Sequence, residues 1–143
     1  METAVKNAAL IVGSVLLSMA AVNSIGAPEP APPMVRIAEL EIDPAHLEAY
    51  KVILAEEQEA SVRLEPGVLM LHSVALAQKP TSIRLLEVYA DRRAYEAHIK
   101  SPHFIKYKTS TAKMVKSLEL VDTHPILLCA KAGNREGGVP TCM

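Results

Sequence analysis

VRIAELEIDP, residues 35–44, is the stretch on which the fold turns. Its first eight residues alternate well enough for a strand. Asp43-Pro44 then reads as a helix start, a capping carboxylate followed by proline at the first helical position. The helix is expected over residues 44–64, with Leu47, Tyr50, Ile53, Leu54 and Val62 at mostly three-to-four spacing. Glu65-Pro66-Gly67 ends it. Residues 68–77 read as a second strand, 78–81 as a turn and 82–89 as a third strand, the two strands forming an antiparallel hairpin. Asp91 caps a short helix over 92–100, and Ser101-Pro102 repeats the cap-then-proline signal for a helix over 102–116. A fourth strand opens at 118–121, and Pro125 interrupts its exit. The order β-α-β-β-α-β predicts an α+β, ferredoxin-like domain, an antiparallel sheet with its helices on one face.

The other face needs cover too. Val35 and Ile37 share their parity with Glu39 and Glu41, a mixed surface that suggests pairing with a second copy as a homodimer.

Outward from the domain, residues 1–27 read as a cleavable export signal. Lys6 and the free amine outweigh Glu2, residues 8–22 are an apolar run, and Ser24, Gly26 and Ala27 are small. Cleavage fits after Gly26 or Ala27, or near Ala20. The run is shorter than the ~20 residues of a spanning helix, so no stable membrane insertion is expected after cleavage and the destination is the periplasm or the exterior. A retained anchor is the rival reading. A proline-rich spacer follows at 28–34, the domain occupies 35–124, and 125–143 is a flexible tail. That tail carries the two cysteines, Cys129 and Cys142, which are either a disulfide or two free thiols.

The formal net charge of −1 argues against a nucleic-acid partner, which would need a basic patch. There is no Gly-rich phosphate loop, CxxC pair, HExxH or serine-nucleophile motif, so a tightly bound nucleotide cofactor is not expected. The densest polar cluster is EVYADRRAYEAHIKSPHFIKY, residues 87–107. His98 and His103 flank the break at Ser101-Pro102; the two read as a metal pair with Glu87, or His98 reads as a surface or boundary histidine. His103 lies in the first turn of a helix, where the terminus disfavours the imidazolium, leaving a neutral ring able to act as a base or to bond the preceding loop. Glu87 interrupts an apolar strand face, so it is either buried and functional or turned to a subunit interface. His72 does the same on the second strand, lining a pocket or sitting satisfied in the core. Tyr50 and Tyr107 fall on the apolar stripes of the two helices, as core or as cavity wall.

Three elements within this chain, Tyr-Ala-Asp (89–91), Ala-Tyr-x-x-His (94–98) and Ser-Pro-His-Phe (101–104), together with LEPGVL (64–69) and KMVKSLEL (113–120), resemble the antibiotic biosynthesis monooxygenase domain family and its quinol monooxygenase branch. The resemblance covers residues 35–120. It implies the ferredoxin-like fold in a dimeric α+β barrel, and oxidation of a small aromatic or quinol substrate by O₂ without cofactor or metal. On that view a pocket base removes a phenolic proton, the electron-rich anion reduces O₂ by one electron, and the radical pair recombines. His103 would be the base or hydrogen-bond partner, Glu87 its orienter and His98 a second polar candidate. Tyr50, His72, Phe104 and Tyr107 would shape the pocket. The tryptophan of some relatives is missing here. Other outcomes on the same fold are haem degradation and a non-catalytic dimeric ligand-binding or stress-response protein.

Overall fold

The computed structural model describes residues 31–131 and 140–142. The expected export signal and most of the spacer lie outside the described residues. Strand β1 (Met34–Ile42) leads through a single 3₁₀ turn (Pro44–His46) into helix α1 (Leu47–Leu64). Strands β2 (Val68–Leu76) and β3 (Lys79–Tyr89) form the hairpin. Helices α2 (Arg92–His98) and α3 (Pro102–Thr111) follow, then β4 (Val115–Thr123). The sheet is antiparallel with the order β2-β3-β1-β4. This is the expected ferredoxin-like α+β architecture.

The capping signals operate as read. Asp43 accepts from the Ala45 N–H at 2.9 Å, Asp91 from the Ala94 N–H at 2.8 Å, and Ser101 from the Phe104 N–H at 3.3 Å. The boundaries differ in three places. The turn between β2 and β3 is only Ala77-Gln78, and Pro80 lies inside β3, where a register shift spares the ladder the N–H that proline lacks. Helix α3 stops at Thr111, not 116, because the chain turns there: the Met114 N–H donates to the Thr111 carbonyl, and the Met114 carbonyl accepts from the Asp43 N–H. Strand β4 therefore begins earlier than 118 and pairs with β1 along nearly its whole length. Third, the buried stripe of α1 is Tyr50, Leu54, Glu57 and Ser61, while Val62 is 50% exposed.

The core is a cluster of Ala38, Leu40, Ile42, Tyr50, Leu54, Ile83 and Leu85 between α1 and the centre of the sheet. Gly67, at the turn into β2, sits so close to α2 that a Cβ built on it would lie 2.5 Å from the Ala94 Cβ. Its carbonyl accepts from the Ala90 N–H. Glycine here lets α2 press down on the end of α1. In the tail, β5 (Cys129–Lys131) pairs with β6 (Pro140–Cys142), and a disulfide joins the directly opposed Cys129 and Cys142. Among the described residues no helix is long and apolar enough to cross a membrane.

Candidate active site

Away from the filled core, the space under α2 and α3 is open. A cavity of about 390 Å³ lies between these helices, α1 and the sheet, within the range of small-molecule sites. Its floor comes from alternate residues of the strands, including Ala38, Leu85 and Leu120, and its walls from Leu54, Ile99 and Phe104. That lining is apolar. The polar groups in it are Glu57 from α1, Glu87 from β3, His98 from α2, Arg36 from β1, and the phenols of Tyr89, Tyr95 and Tyr107, with Lys108 and Thr111 also in the lining.

Three elements converge to place the imidazoles. Glu65 caps the C-terminal end of α1, His98 ends α2, and His103 lies in the first turn of α3. Glu65 Oε1 is 3.0 Å from His98 Nδ1 and 2.5 Å from His103 Nε2. Burial pushes the Glu65 carboxyl up, but the two histidine hydrogen bonds outweigh it and hold it below the usual range. An ionised carboxylate only accepts, so both ring nitrogens donate. Nδ1 of His98 is thereby committed to Glu65, and Nε2 is the nitrogen left free of that bond. That nitrogen lies 3.7 Å from Glu57 Oε1. His98 is 3% exposed, buried rather than at the boundary, and its ring rests between Tyr89 and Phe104, with centroids 5.4 and 4.9 Å away.

The two acids of the cavity behave unlike Glu65. Burial pushes Glu57 up, against the hydrogen bond it accepts from Ser61 at 2.7 Å. Burial also raises Glu87, opposed by the bond from the Tyr89 hydroxyl at 3.2 Å. Arg36 is already committed: Nε and Nη2 both donate to Asp122 Oδ1, at 2.9 and 2.6 Å, and the guanidinium lies 4.4 Å over the Tyr95 ring. The site thus offers one oriented imidazole, two acids shifted towards their neutral form and a wall of rings.

Glu65, His98 and His103 are the group among the described residues whose donor atoms, all within 4.8 Å of one another, could hold a metal ion. Glu87 is not in it: the carboxylate that His98 and His103 share is Glu65. Two of the spacings are hydrogen-bond distances, and the 2.5 Å one is shorter than the ~2.9 Å or more that separates ligands bonded to one ion at about 2.0–2.2 Å. The trio fits hydrogen bonds better than a metal.

The expected site residues separate accordingly. Glu87, His98, Phe104 and Tyr107 line the cavity. His103 does not; it reaches His98 only through Glu65, and faces a smaller pocket between α1 and α3. Tyr50 stands behind the wall, fully buried, its hydroxyl 2.8 Å from that of Tyr107. His72 is exposed and lies outside the cavity, on the register position opposite Leu86. The residues sequence reasoning missed are Arg36, Glu57, Glu65, Tyr89 and Tyr95. For Glu57 a signal existed: it falls seven residues after Tyr50 and three after Leu54, on the buried stripe.

Comparison with known proteins follows the geometry. A family model described as antibiotic biosynthesis monooxygenase matches residues 33–110. Similar solved structures include a candidate antibiotic biosynthesis monooxygenase from Bacteroides thetaiotaomicron, 51% identical over 66% of this chain and 90% of its own, with a TM-score of 0.65. A candidate monooxygenase from Lactobacillus acidophilus is 30% identical over 63% of this chain and 44% of its own, at a TM-score of 0.61. One from Nitrosomonas europaea, 24% identical over 66% of this chain and 90% of its own at a TM-score of 0.63, shares the fold. No curated protein matches. With more than half its length matched by that model, on the fold and the cavity just described, the chain belongs to the antibiotic biosynthesis monooxygenase family.

Proposed function

We propose that this protein is a cofactor-independent monooxygenase that oxidises a small aromatic or quinol substrate with O₂ in the cavity beneath α2 and α3. The observation that carries the reading is the orientation of His98: its Nδ1–H is spent on Glu65, and its basic Nε2 sits at the wall of an apolar, ring-lined space. A phenolic hydroxyl delivered there loses its proton to Nε2. The resulting anion is electron-rich, passes one electron to O₂, and recombines with the reduced oxygen as a peroxide; a proton from solvent then lets the O–O bond break as the C–H proton leaves, so that one oxygen stays on the ring carbon and the other departs as water. The protein supplies deprotonation, a dry cavity and positioning. Glu65 acts through His98 as a positioning residue, as the carboxylate does in a Ser-His-Asp triad. The role of base thus goes to His98, and His103 supports Glu65 from behind.

Pairing of two copies across the sheet face away from the helices belongs to the same reading. Ile37, Leu86 and Val121 lie on that face by register, and Val74 there is 61% exposed. The Cys129–Cys142 disulfide supports a working place outside the reducing cytoplasm, in the periplasm or beyond. The test is oxygen uptake by metal-stripped protein with a panel of quinols, wild type beside His98→Ala. Uptake that needs no added cofactor and collapses in the variant is expected. No uptake above the buffer rate removes quinols as substrates, and uptake that survives in His98→Ala removes this base.

A further inference from the structure

The cavity has a neighbour. The smaller pocket between α1 and α3, about 50 Å³, is lined by Ile53, Glu56, Ala60, His103 and Lys106 together with Glu57 and Tyr107. Glu57 and Tyr107 also line the large cavity, so these two side chains form the partition between the spaces. Tyr107 is the poorer conductor of a proton: burial pushes its phenol up, and its hydroxyl is tied to that of Tyr50. Glu57 is an acid at 6% exposure in the middle of a helix, a position that costs stability beyond what its hydrogen bond from Ser61 restores. Its Oε1 accepts from Ser61 and faces His98 Nε2. The mechanism above leaves it without a task, and leaves the proton taken by His98 without an exit.

We propose that Glu57 is the proton outlet of the site, taking the proton that His98 receives and handing it to solvent in the smaller pocket. The inference rests on the reading of His98 as the base. The O–H bond of the bound phenol breaks, and its proton adds to His98 Nε2. The Nε2–H bond then breaks, and the proton adds to the Glu57 carboxylate. Finally the Glu57 O–H bond breaks, and the proton passes to water. No electrons move in these steps, and the Nδ1–H of His98 stays on Glu65 throughout. A turn of the carboxylate closes the 3.7 Å gap. The pocket is roomy enough for a water molecule, which needs about 10–15 Å³. Glu65 Oε1 accepts from both rings, so the Nδ1–H of His98 is held where it orients the imidazole, and Nε2 is the nitrogen left to face Glu57. The charged and titratable groups around Glu57 are His98 from α2, His103, Lys106 and Tyr107 from α3, Tyr50 and Glu56 on its own helix, Glu65 beyond its end, and Glu87 and Tyr89 from β3. Burial makes the Glu57 carboxylate a better acceptor than an exposed one.

Stopped-flow mixing with 4-nitrophenol under nitrogen, in weak buffer with a pH-indicator dye, separates the two halves of the idea. Phenolate absorbance reports proton capture, and the dye reports release. In the wild type both signals should rise together. In Glu57→Gln, which keeps the volume of the side chain, phenolate should still form while the dye lags by about tenfold or more, the scale of a lost proton-transfer group. Ala60→Leu, which fills the smaller pocket and leaves Glu57 in place, should produce the same lag and carries the test if Glu57→Gln does not fold. A dye signal that keeps pace with phenolate in these variants overturns the outlet and leaves His98 as base. No phenolate in the folded wild type overturns the base, and the outlet with it.

Discussion

One face of one sheet is treated in two ways. Under α1, near the centre of the sheet, Leu40, Ile42, Leu54 and Ile83 close around the buried Tyr50. Under α2 and α3 the same strands floor an open cavity, and the groups at its wall are acids, an imidazole and phenols. Leu54, Leu85, Ala38 and Leu40 belong to both regions, so the border is one residue thick. A filled half gains the full dispersion and transfer energy of close packing. The open half gives that up and adds the desolvation of Glu57 and Glu87. The difference teaches where stability is made and where it is spent on chemistry.

The sharpest way to break the comparison is Glu65→Ala. It leaves the filled half untouched and removes the acceptor shared by two imidazoles. Oxygen uptake with an accepted quinol should fall about 10²–10⁴-fold, the scale of a misplaced general base. Uptake within a few-fold of wild type would mean that His98 needs no orienting partner. Ile42→Ala should do the reverse. Ile42 is in the core and does not line the cavity, so denaturant unfolding should show a loss of about 2–5 kcal/mol with uptake per folded molecule unchanged. Lost activity in the folded variant would merge the two halves into one cooperative unit.

Gly67→Ala probes the seam. The new methyl meets the Ala94 Cβ, and α2 must move. A destabilisation of about 1–3 kcal/mol is expected, as for overpacking. It should be accompanied by a changed NMR signal for the His98 ring. A silent substitution would show that α2 has slack over the turn.

The smallest effect lies in pH. Glu65 has a folded-state value depressed below its unfolded one, so its contribution is present above about pH 4.3 and is lost as pH falls through the folded value. Glu57 and Glu87 are raised, so the neutral forms are favoured, and a cost appears as pH rises above the unfolded value towards the folded one. Glu87→Gln should therefore stabilise the protein at neutral pH, by on the order of 1 kcal/mol, and match the wild type in acid. Equal thermal stability of the two at pH 7 would show that the Tyr89 hydrogen bond compensates for burial.

The fold was legible because its signals are local. Asp43-Pro44, Asp91 and Ser101-Pro102 each cap what they begin, and Tyr89 closes a strand whose alternation needs no knowledge of its neighbours. The site was half legible. Glu87 stood out as an acid on an apolar strand face, and His98 as the histidine of the Ala-Tyr-x-x-His element. Glu65 hid inside a helix-ending Glu-Pro-Gly, and Glu57 inside the acidic run from 56 to 59, both partnered by residues more than 30 positions away. Arg36 carried no signal of its use, because its partner Asp122 comes from β4, 86 residues downstream. His72 misled for the same reason. A break in register between Val68 and Met70 decides which way the rest of β2 faces, and the break has no signature of its own in the sequence.

Helices α2 and α3 have seven and ten residues, too short to be stable by themselves. The Glu65 hydrogen bonds that aim His98 also clasp both helices to the end of α1. On the proposed reading the clasp is also a latch, and substrate admission and alignment of the base are two positions of one equilibrium: with α2 and α3 away the roof is open and the base disarmed, with both home the cavity is shut and the base set. Amide exchange in these two helices would then be the clock on which the next molecule is admitted.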